Sequence, residues 1–168
     1  GEGRRRRSRR LRTGDGIVGF DKPSLKGRAL RLLAQREHSR AELLRKLAPH
    51  EEAPGELAQA LDELQAKGFI DEQRVIDSVI HRRAARLGAS RVRQELQAKG
   101  LPPEAVAQAV DGLRGTEVDR AREVWRKKFG RAPADAAERA KQMRFLAARG
   151  FGGEAIRRVM IDADDDGA

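Results

Sequence analysis

Three segments of this chain end alike, and two of these ends lie in phase within a longer repeat. Leu64-Gln65-Ala66-Lys67-Gly68-Phe69, Leu96-Gln97-Ala98-Lys99-Gly100-Leu101 and Leu146-Ala147-Ala148-Arg149-Gly150-Phe151 share one spacing of hydrophobe, base, glycine and hydrophobe. If glycine occupies C′, just past a helix, where a residue without a Cβ enters the left-handed region cheaply, the leucine falls at C3 and the second hydrophobe at C″. That is the contact pair of a Schellman motif, and the base beside each glycine complements the negative helix end. Leu43, Leu96 and Leu146, in Glu42-Leu43-x-x-Lys46, Glu95-Leu96-x-x-Lys99 and Phe145-Leu146-x-x-Arg149, are 53 and then 50 residues apart. A period near fifty confines the fold to tandem copies of one small unit.

The copies are helical. A further amphipathic stretch follows each shared helix (Leu57/Leu61/Leu64, Val106/Val110/Leu113, Ile156/Val159/Met160). Another precedes it (Leu25/Leu30/Leu33, Val75/Ile76/Val79/Ile80, Val118/Val124/Trp125). Nothing alternates with period two over a strand's length. Start signals agree: Ser39 with Glu42 forms a capping box, Ser24 and Ser90 sit at N-cap positions, Asp71 opens a helix, and Pro103-Glu104 fits a first turn. Nine helices are predicted, at 24–36, 39–47, 55–67, 72–87, 90–99, 103–113, 117–129, 134–149 and 153–162. The expected architecture is all-α, with three tandem three-helix, helix-turn-helix-like repeats at 24–70, 71–115 and 116–162 forming an elongated modular chain. Residues 1–23, with the run Arg4 to Arg7, are expected to be a disordered basic arm. Residues 163–168 are expected to be an acidic tail, because aspartates at a helix C-terminus oppose the macrodipole and fray it.

The side-chain inventory excludes most chemistry. Large aliphatic residues and Phe number 36 of 168, so several small cores are expected and no deep pocket. The absence of cysteine leaves no disulfide, thiolate zinc site or thiol nucleophile, which suits a reducing, cytoplasmic setting. No stretch is long and apolar enough for a membrane span. Five serines, two threonines, three histidines and no tyrosine make a poor catalytic inventory. His38, His50 and His81 lack metal-ligand spacing, and no phosphate-cradling glycine loop occurs. No enzyme, cofactor or metal is expected. Phe69 and Phe151 are assigned to helix caps, and Trp125, Phe129 and Phe145 to apolar stripes, which disfavours a base-stacking platform.

The charge is strongly basic, 36 Lys and Arg against 26 Asp and Glu, for a formal net charge of +10. Many bases have an acid three or four residues away: Arg45 and Lys46 with Glu42, Arg91 with Glu95, Arg122 with Asp119, Lys127 with Glu123, Arg139 with Asp135, Lys141 with Glu138, Arg157 and Arg158 with Glu154. The bases left over are Arg28 and Arg31 in the first module, Arg82, Arg83, Arg86 and Arg93 in the second, and Lys128 and Arg144 in the third. Arg82 and Arg86, at i and i+4 with Arg83 beside them, repel one another in an isolated helix. Their compensation comes from a phosphate backbone, an acidic protein surface, or acids of a neighbouring module.

Several runs resemble a known family. Arg36-Glu37-His38-Ser39-Arg40-Ala41-Glu42-Leu43-Leu44-Arg45-Lys46-Leu47 is similar to the first-module signature R-x-x-S-x-x-E-L-x-x-K-L of RecX regulatory proteins. Gly68-Phe69-Ile70-Asp71-Glu72-Gln73-Arg74 resembles their G-[YF]-[LIV]-[DN]-[DE]-x-R. Arg91 to Leu101 resembles I-x-x-E-L-x-x-K-G-[IL], and Lys128-Phe129-Gly130 with Arg144 to Phe151 resembles the third module. The loop at Leu87-Gly88-Ala89-Ser90 departs from the family's usual further glycine or proline. The resemblance implies a non-enzymatic inhibitor of the RecA recombinase. Such a protein binds the RecA nucleoprotein filament along its groove and suppresses ATP hydrolysis, strand exchange and coprotease activity. The expected partners are the RecA filament and, nonspecifically, single- and double-stranded DNA, and the expected state is a monomer. The expected contacts are Arg82, Arg83, Arg86 and Arg93, then Arg28, Arg31, Lys128 and Arg144. The rival reading is a helix-turn-helix-like protein acting directly on DNA.

Overall fold

The computed structural model describes residues 22–166 and, ahead of them, two short strands, β1 (Arg12–Thr13) and β2 (Gly16–Ile17), paired antiparallel. A two-residue ladder is too short to leave an alternation in the sequence. The rest of the expected basic arm up to residue 21, and the last two residues of the expected acidic tail, lie outside the described residues.

Among the described residues nine α-helices follow, with a 3₁₀ turn at Ala48–His50 between the second and the third. They are α1 (Leu25–Gln35), α2 (Arg40–Leu47), α3 (Glu56–Ala66), α4 (Glu72–Arg83), α5 (Ala89–Ala98), α6 (Pro103–Arg114), α7 (Glu117–Lys128), α8 (Ala136–Ala148) and α9 (Gly153–Asp166). From Leu25 onward the architecture is all-helical, three three-helix domains in tandem. Each triplet buries its own core: Leu43, Leu61 and Leu64 in the first, Val79, Val92 and Leu96 in the second, and Leu146, Val159 and Met160 in the third.

Local chemistry explains most helix ends. Ser24 Oγ accepts from the Gly27 amide at 2.9 Å, and Asp71 Oδ1 accepts from the Arg74 amide at 3.0 Å. Ser39 and Glu42 make both bonds of the capping box. At the three repeated ends, Gly68, Gly100 and Gly150 have φ of 82°, 69° and 89°. The Phe69 and Phe151 amides reach back to the C3 carbonyls of Leu64 (2.9 Å) and Leu146 (3.2 Å). The three ends, of which Gly68 closes a third helix and the other two close middle helices, differ in one respect. Leu101 and Phe151 are buried as the motif predicts, whereas Phe69 is 47% exposed, because Ile70 fills the core position beside it.

Three ends depart from the sequence reading, each for a tertiary reason. α4 stops at Arg83, four residues short, because the Gly88 amide donates to Arg149 O (2.8 Å) and the Ala84 carbonyl accepts from the Arg120 guanidinium (2.8 Å). Past the Ala84 to Ile80 bond the Arg86 amide turns to Arg83 O (3.0 Å), and a helical Gly88 to Ala84 bond is replaced from both sides. The N-cap of α5 is Gly88, not Ser90, which lies exposed inside the helix. The Gly88 and Ala89 amides at this helix start are satisfied from the third module, by Arg149 O and Glu117 Oε1 (3.0 Å), so no local side-chain cap is needed. At the C-terminus α9 continues to Asp166. Asp162 accepts from Arg122 (2.7 Å) and Asp164 from Arg139 (2.7 Å), cations of α7 and α8 that offset the unfavourable dipole, while Ala163 is buried.

The main helix packing lies within each triplet, and the triplets meet end to end. At the first junction Ser39, the N-cap of α2, donates its hydroxyl to the carbonyl of Lys99, the C-cap of α5. Arg45 donates to Ala98 O at 3.2 Å. At the second junction Gly88, the N-cap of α5, donates to the carbonyl of Arg149, the C-cap of α8, and Arg91 donates to Ala148 O at 2.8 Å. Ala98 and Ala148, like Lys99 and Arg149, are equivalent positions of the repeat. The same two carbonyls are therefore used twice, and the middle helices of the three modules run head to tail.

Candidate functional site

The local ion pairs expected from spacing are largely redistributed. Arg122 keeps Asp119 (2.9 Å) and Lys127 keeps Glu123 (3.9 Å). Arg91 serves the second junction, Arg139 pairs with Asp164 and Arg158 with Asp162 (3.5 Å). Glu42 is taken by neither Arg45 nor Lys46. It is buried and pairs with Arg36 (2.7 Å) and, across the first junction, with Lys99 (3.4 Å). Burial alone raises its carboxyl pKa. The hydrogen bonds from Arg36 and the Ser39 amide, with the charges of Lys99 and Arg36, outweigh burial and hold it at about 2. Lys46 instead donates to Nε2 of the buried His38 (3.0 Å), so Nδ1 carries the imidazole proton and donates to Arg36 O (3.0 Å). Arg36, Ser39, Glu42 and Lys46, four polar positions of the first-module signature, thus build this junction.

The eight expected contact residues do not form one stripe. Arg82 and Arg83 end α4, and the single carboxylate of Glu95 faces both, at 3.8 Å and 3.3 Å. Their compensation comes from α5 of their own module, not from a neighbouring one, and both stay nearly half exposed. Arg86 lies in the turn beyond α4, so it is not stacked on Arg82 as the longer helix would require. Arg93 is exposed on α5 beside Gln97 and Leu101, over a different groove. Arg28 is half-buried and Arg31 exposed on α1, and Arg144 is exposed on α8. Among the described residues, Arg28, Arg31, Arg86, Arg93, Lys128 and Arg144 make no ion pair with a carboxylate.

Two of those six meet. Arg86 from the second module and Lys128 from the third line one cleft of about 270 Å³ at the second junction. Its floor is apolar, from Ala85, Val124 and the Phe145 ring, and Lys127 and Arg149 complete a frame of four cations. The one acid there, Glu123, pairs with Arg126 at 2.6 Å and more distantly with Lys127 of the frame at 3.9 Å, and the Arg126 hydrogen bond, with both charges, holds its carboxyl below the usual carboxylate range. Lys128 Nζ sits 5.5 Å and Arg149 Cζ 4.9 Å from the Phe145 ring centre, and Phe129 packs edge-on at 5.4 Å.

Arg120 sets the wall that carries Arg86. Its guanidinium donates to the carbonyls of Ala84 (2.8 Å), Leu87 (2.6 Å) and Leu113 (3.0 Å), tying the turn after α4 and the end of α6 to α7. Sequence reasoning missed Lys127, Phe145, Arg149 and Arg120. Lys127 has a local acid, and Phe145 reads as core. The usable signal is the i, i+4 spacing of Phe145 and Arg149, which places a cation over the ring. Locally Arg120 meets only the Thr116 hydroxyl (3.1 Å), which does not mark its role, because the three carbonyls it ties together lie seven to thirty-six residues away.

Among the described residues no cluster of His, Asp or Glu could hold a metal ion, and no helix is long and apolar enough to cross a membrane. The arrangement is a basic, partly apolar surface.

Comparison with known proteins agrees with this organisation. The models of the first, second and third three-helix domains of RecX match residues 26–64, 71–110 and 116–160. The chain is 57% identical over 143 residues to the regulatory protein RecX of Leptothrix cholodnii, covering 85% of this chain and 91% of that one. It is 48% identical over 147 residues to the regulatory protein RecX of Ralstonia nicotianae, covering 86% and 92%. The crystal structure of RecX from Lactobacillus salivarius superposes with a TM-score of 0.71 at 18% identity, over 83% of this chain and 94% of that one, and so shares the fold. With its three domains matched in order and nearly the full length of its relatives covered, the chain belongs to the RecX family of regulatory proteins.

Proposed function

We propose that this chain acts by binding rather than by catalysis. It engages the RecA nucleoprotein filament along its groove and suppresses ATP hydrolysis, strand exchange and coprotease activity. Family membership over all three domains carries this reading. The contact residues proposed are Arg86 and Lys128 first, with Arg149 and Lys127 beside them, then Arg93, Arg28, Arg31 and Arg144. Arg82 and Arg83 contribute less because Glu95 already screens them. A groove lined by acidic protein and bound DNA attracts such a surface, so affinity is partly electrostatic and DNA is held nonspecifically.

The direct DNA-reading alternative is weakened by the junctions. The amino ends of α2 and α5 are occupied by the carboxyl ends of α5 and α8, and the third helices of the units, α3, α6 and α9, carry Glu56, Glu104 and Glu154 in their first turns, which repel phosphate.

The test is a titration of the chain into RecA filaments on single-stranded DNA with ATP, with bare-DNA binding followed over a salt series. Loss of hydrolysis at an amount well below one chain per RecA subunit, with DNA affinity falling steeply as salt rises, supports the proposal. Undisturbed hydrolysis with tight, sequence-dependent duplex binding overturns it in favour of the DNA reader.

A further inference from the structure

The cleft at the second junction has features that neither a DNA backbone nor a nucleobase uses well. Phosphates are met by cations standing in water, and need no apolar floor. A base needs an open aromatic face, but the Phe145 ring already carries Lys128 and Arg149 over it and Phe129 at its edge. At about 270 Å³ the space falls below the usual range for sites that enclose a whole small-molecule ligand, and suits one or two side chains. What remains is a small apolar depression inside a frame of cations whose one acid is already paired.

We propose that this cleft receives an apolar side chain from an acidic peptide segment of a partner protein. The side chain seats on Ala85 and Val124 beside the covered Phe145 ring, and flanking carboxylates meet Arg86, Lys127, Lys128 and Arg149. An anchor in a desolvated depression ringed by complementary charge is how a few residues come to dominate a protein interface. The site has walls from two modules, and Arg149 belongs to both cleft and junction, since its backbone carbonyl accepts from Gly88 while its guanidinium lies over Phe145. An occupant therefore also fixes the angle between the second and third modules. The partner's chemistry rests on the filament-binding reading above. The cleft itself is tested without the filament.

The experiment uses the full chain and a short fluorescent peptide of aspartate and glutamate around a central leucine, read by anisotropy. A second peptide carries serine in place of leucine, and unlabelled oligothymidylate is the competitor. The leucine peptide is expected to bind at least about tenfold more tightly than the serine peptide. Ala85→Trp, at an exposed turn position where the indole fills the depression, is expected to remove that difference while helix content is unchanged. Arg86→Glu with Lys128→Glu is expected to remove binding of both peptides. Equal binding of the two peptides, or binding unaltered by Ala85→Trp, overturns the proposal, and the peptide comparison decides even if that variant misfolds. Oligothymidylate that binds the wild type, displaces the peptide and loses affinity with Ala85→Trp assigns the cleft to nucleic acid and also overturns it. Failure of wild-type chain to slow filament hydrolysis defeats the filament reading alone.

Discussion

At the scale of single residues, Glu42 and His38 make the first junction acid-sensitive. Glu42 is held at about 2, below its ordinary 4.5, so its contribution is fully present above the ordinary value and is lost as pH falls from about 4.5 towards 2. The His38 pKa is lowered, first by burial and then by the charges of Arg36 and Lys46 against the opposing pull of the Arg36 carbonyl. Its neutral form is therefore the folded form, and protonation costs stability as pH falls below the ordinary value of 6.5. Stability is expected to decline in two acid stages, read by denaturant melts across pH. Glu42→Gln is expected to flatten the lower stage and to cost about 3 kcal/mol near neutrality, because Arg36 and Lys99 lose their shared carboxylate. An unchanged acid limb in that variant would count against this account.

At the scale of elements, the repeated helix ends look alike in sequence but carry different duties. Gly68 faces open space, so Gly68→Ala is expected to cost only the left-handed backbone, about 1 kcal/mol. A Cβ on Gly150 would collide with the Cβ, Cγ and backbone nitrogen of Arg91, and one on Gly88 would collide with the Gly150 backbone. Gly150→Ala and Gly88→Ala are therefore expected to part the second and third modules, with loss of amide protection at Gly88 in hydrogen exchange that Gly68→Ala does not show. Arg120→Lys, which keeps the charge but cannot span three carbonyls, is expected to loosen residues 84–88 similarly. Legibility follows from the same contrast. The capping box at Ser39, the caps at Ser24 and Asp71, and the glycine stops are decided within a few residues and could be read directly. The early end of α4, the displaced start of α5 and the extended α9 are decided by Arg120, Arg149, Arg122 and Arg139 from other helices, and local patterns carry no trace of them. For the site, Arg86 and Lys128 were legible as bases without local acids, whereas their proximity depends on the second junction.

At the scale of the whole molecule, the charge behaves as separate patches. Reversing Arg86 and Lys128 to glutamate is expected to weaken filament inhibition at least about tenfold, and reversing Arg82 and Arg83 to weaken it less, since those two share Glu95. ATPase titrations of the two double variants at matched salt check the order, and equal losses would restore a continuous stripe. The three separate cores give further freedom. Because both junctions use the same pair of carbonyls, one accepting from an N-cap residue and the other from an arginine of the same helix, the coupling reuses one pattern. Gene duplication or excision of a complete unit would leave matching connectors on either side of the splice. A lineage could thereby lengthen or shorten its reach along a polymer by whole steps, without inventing a new joint.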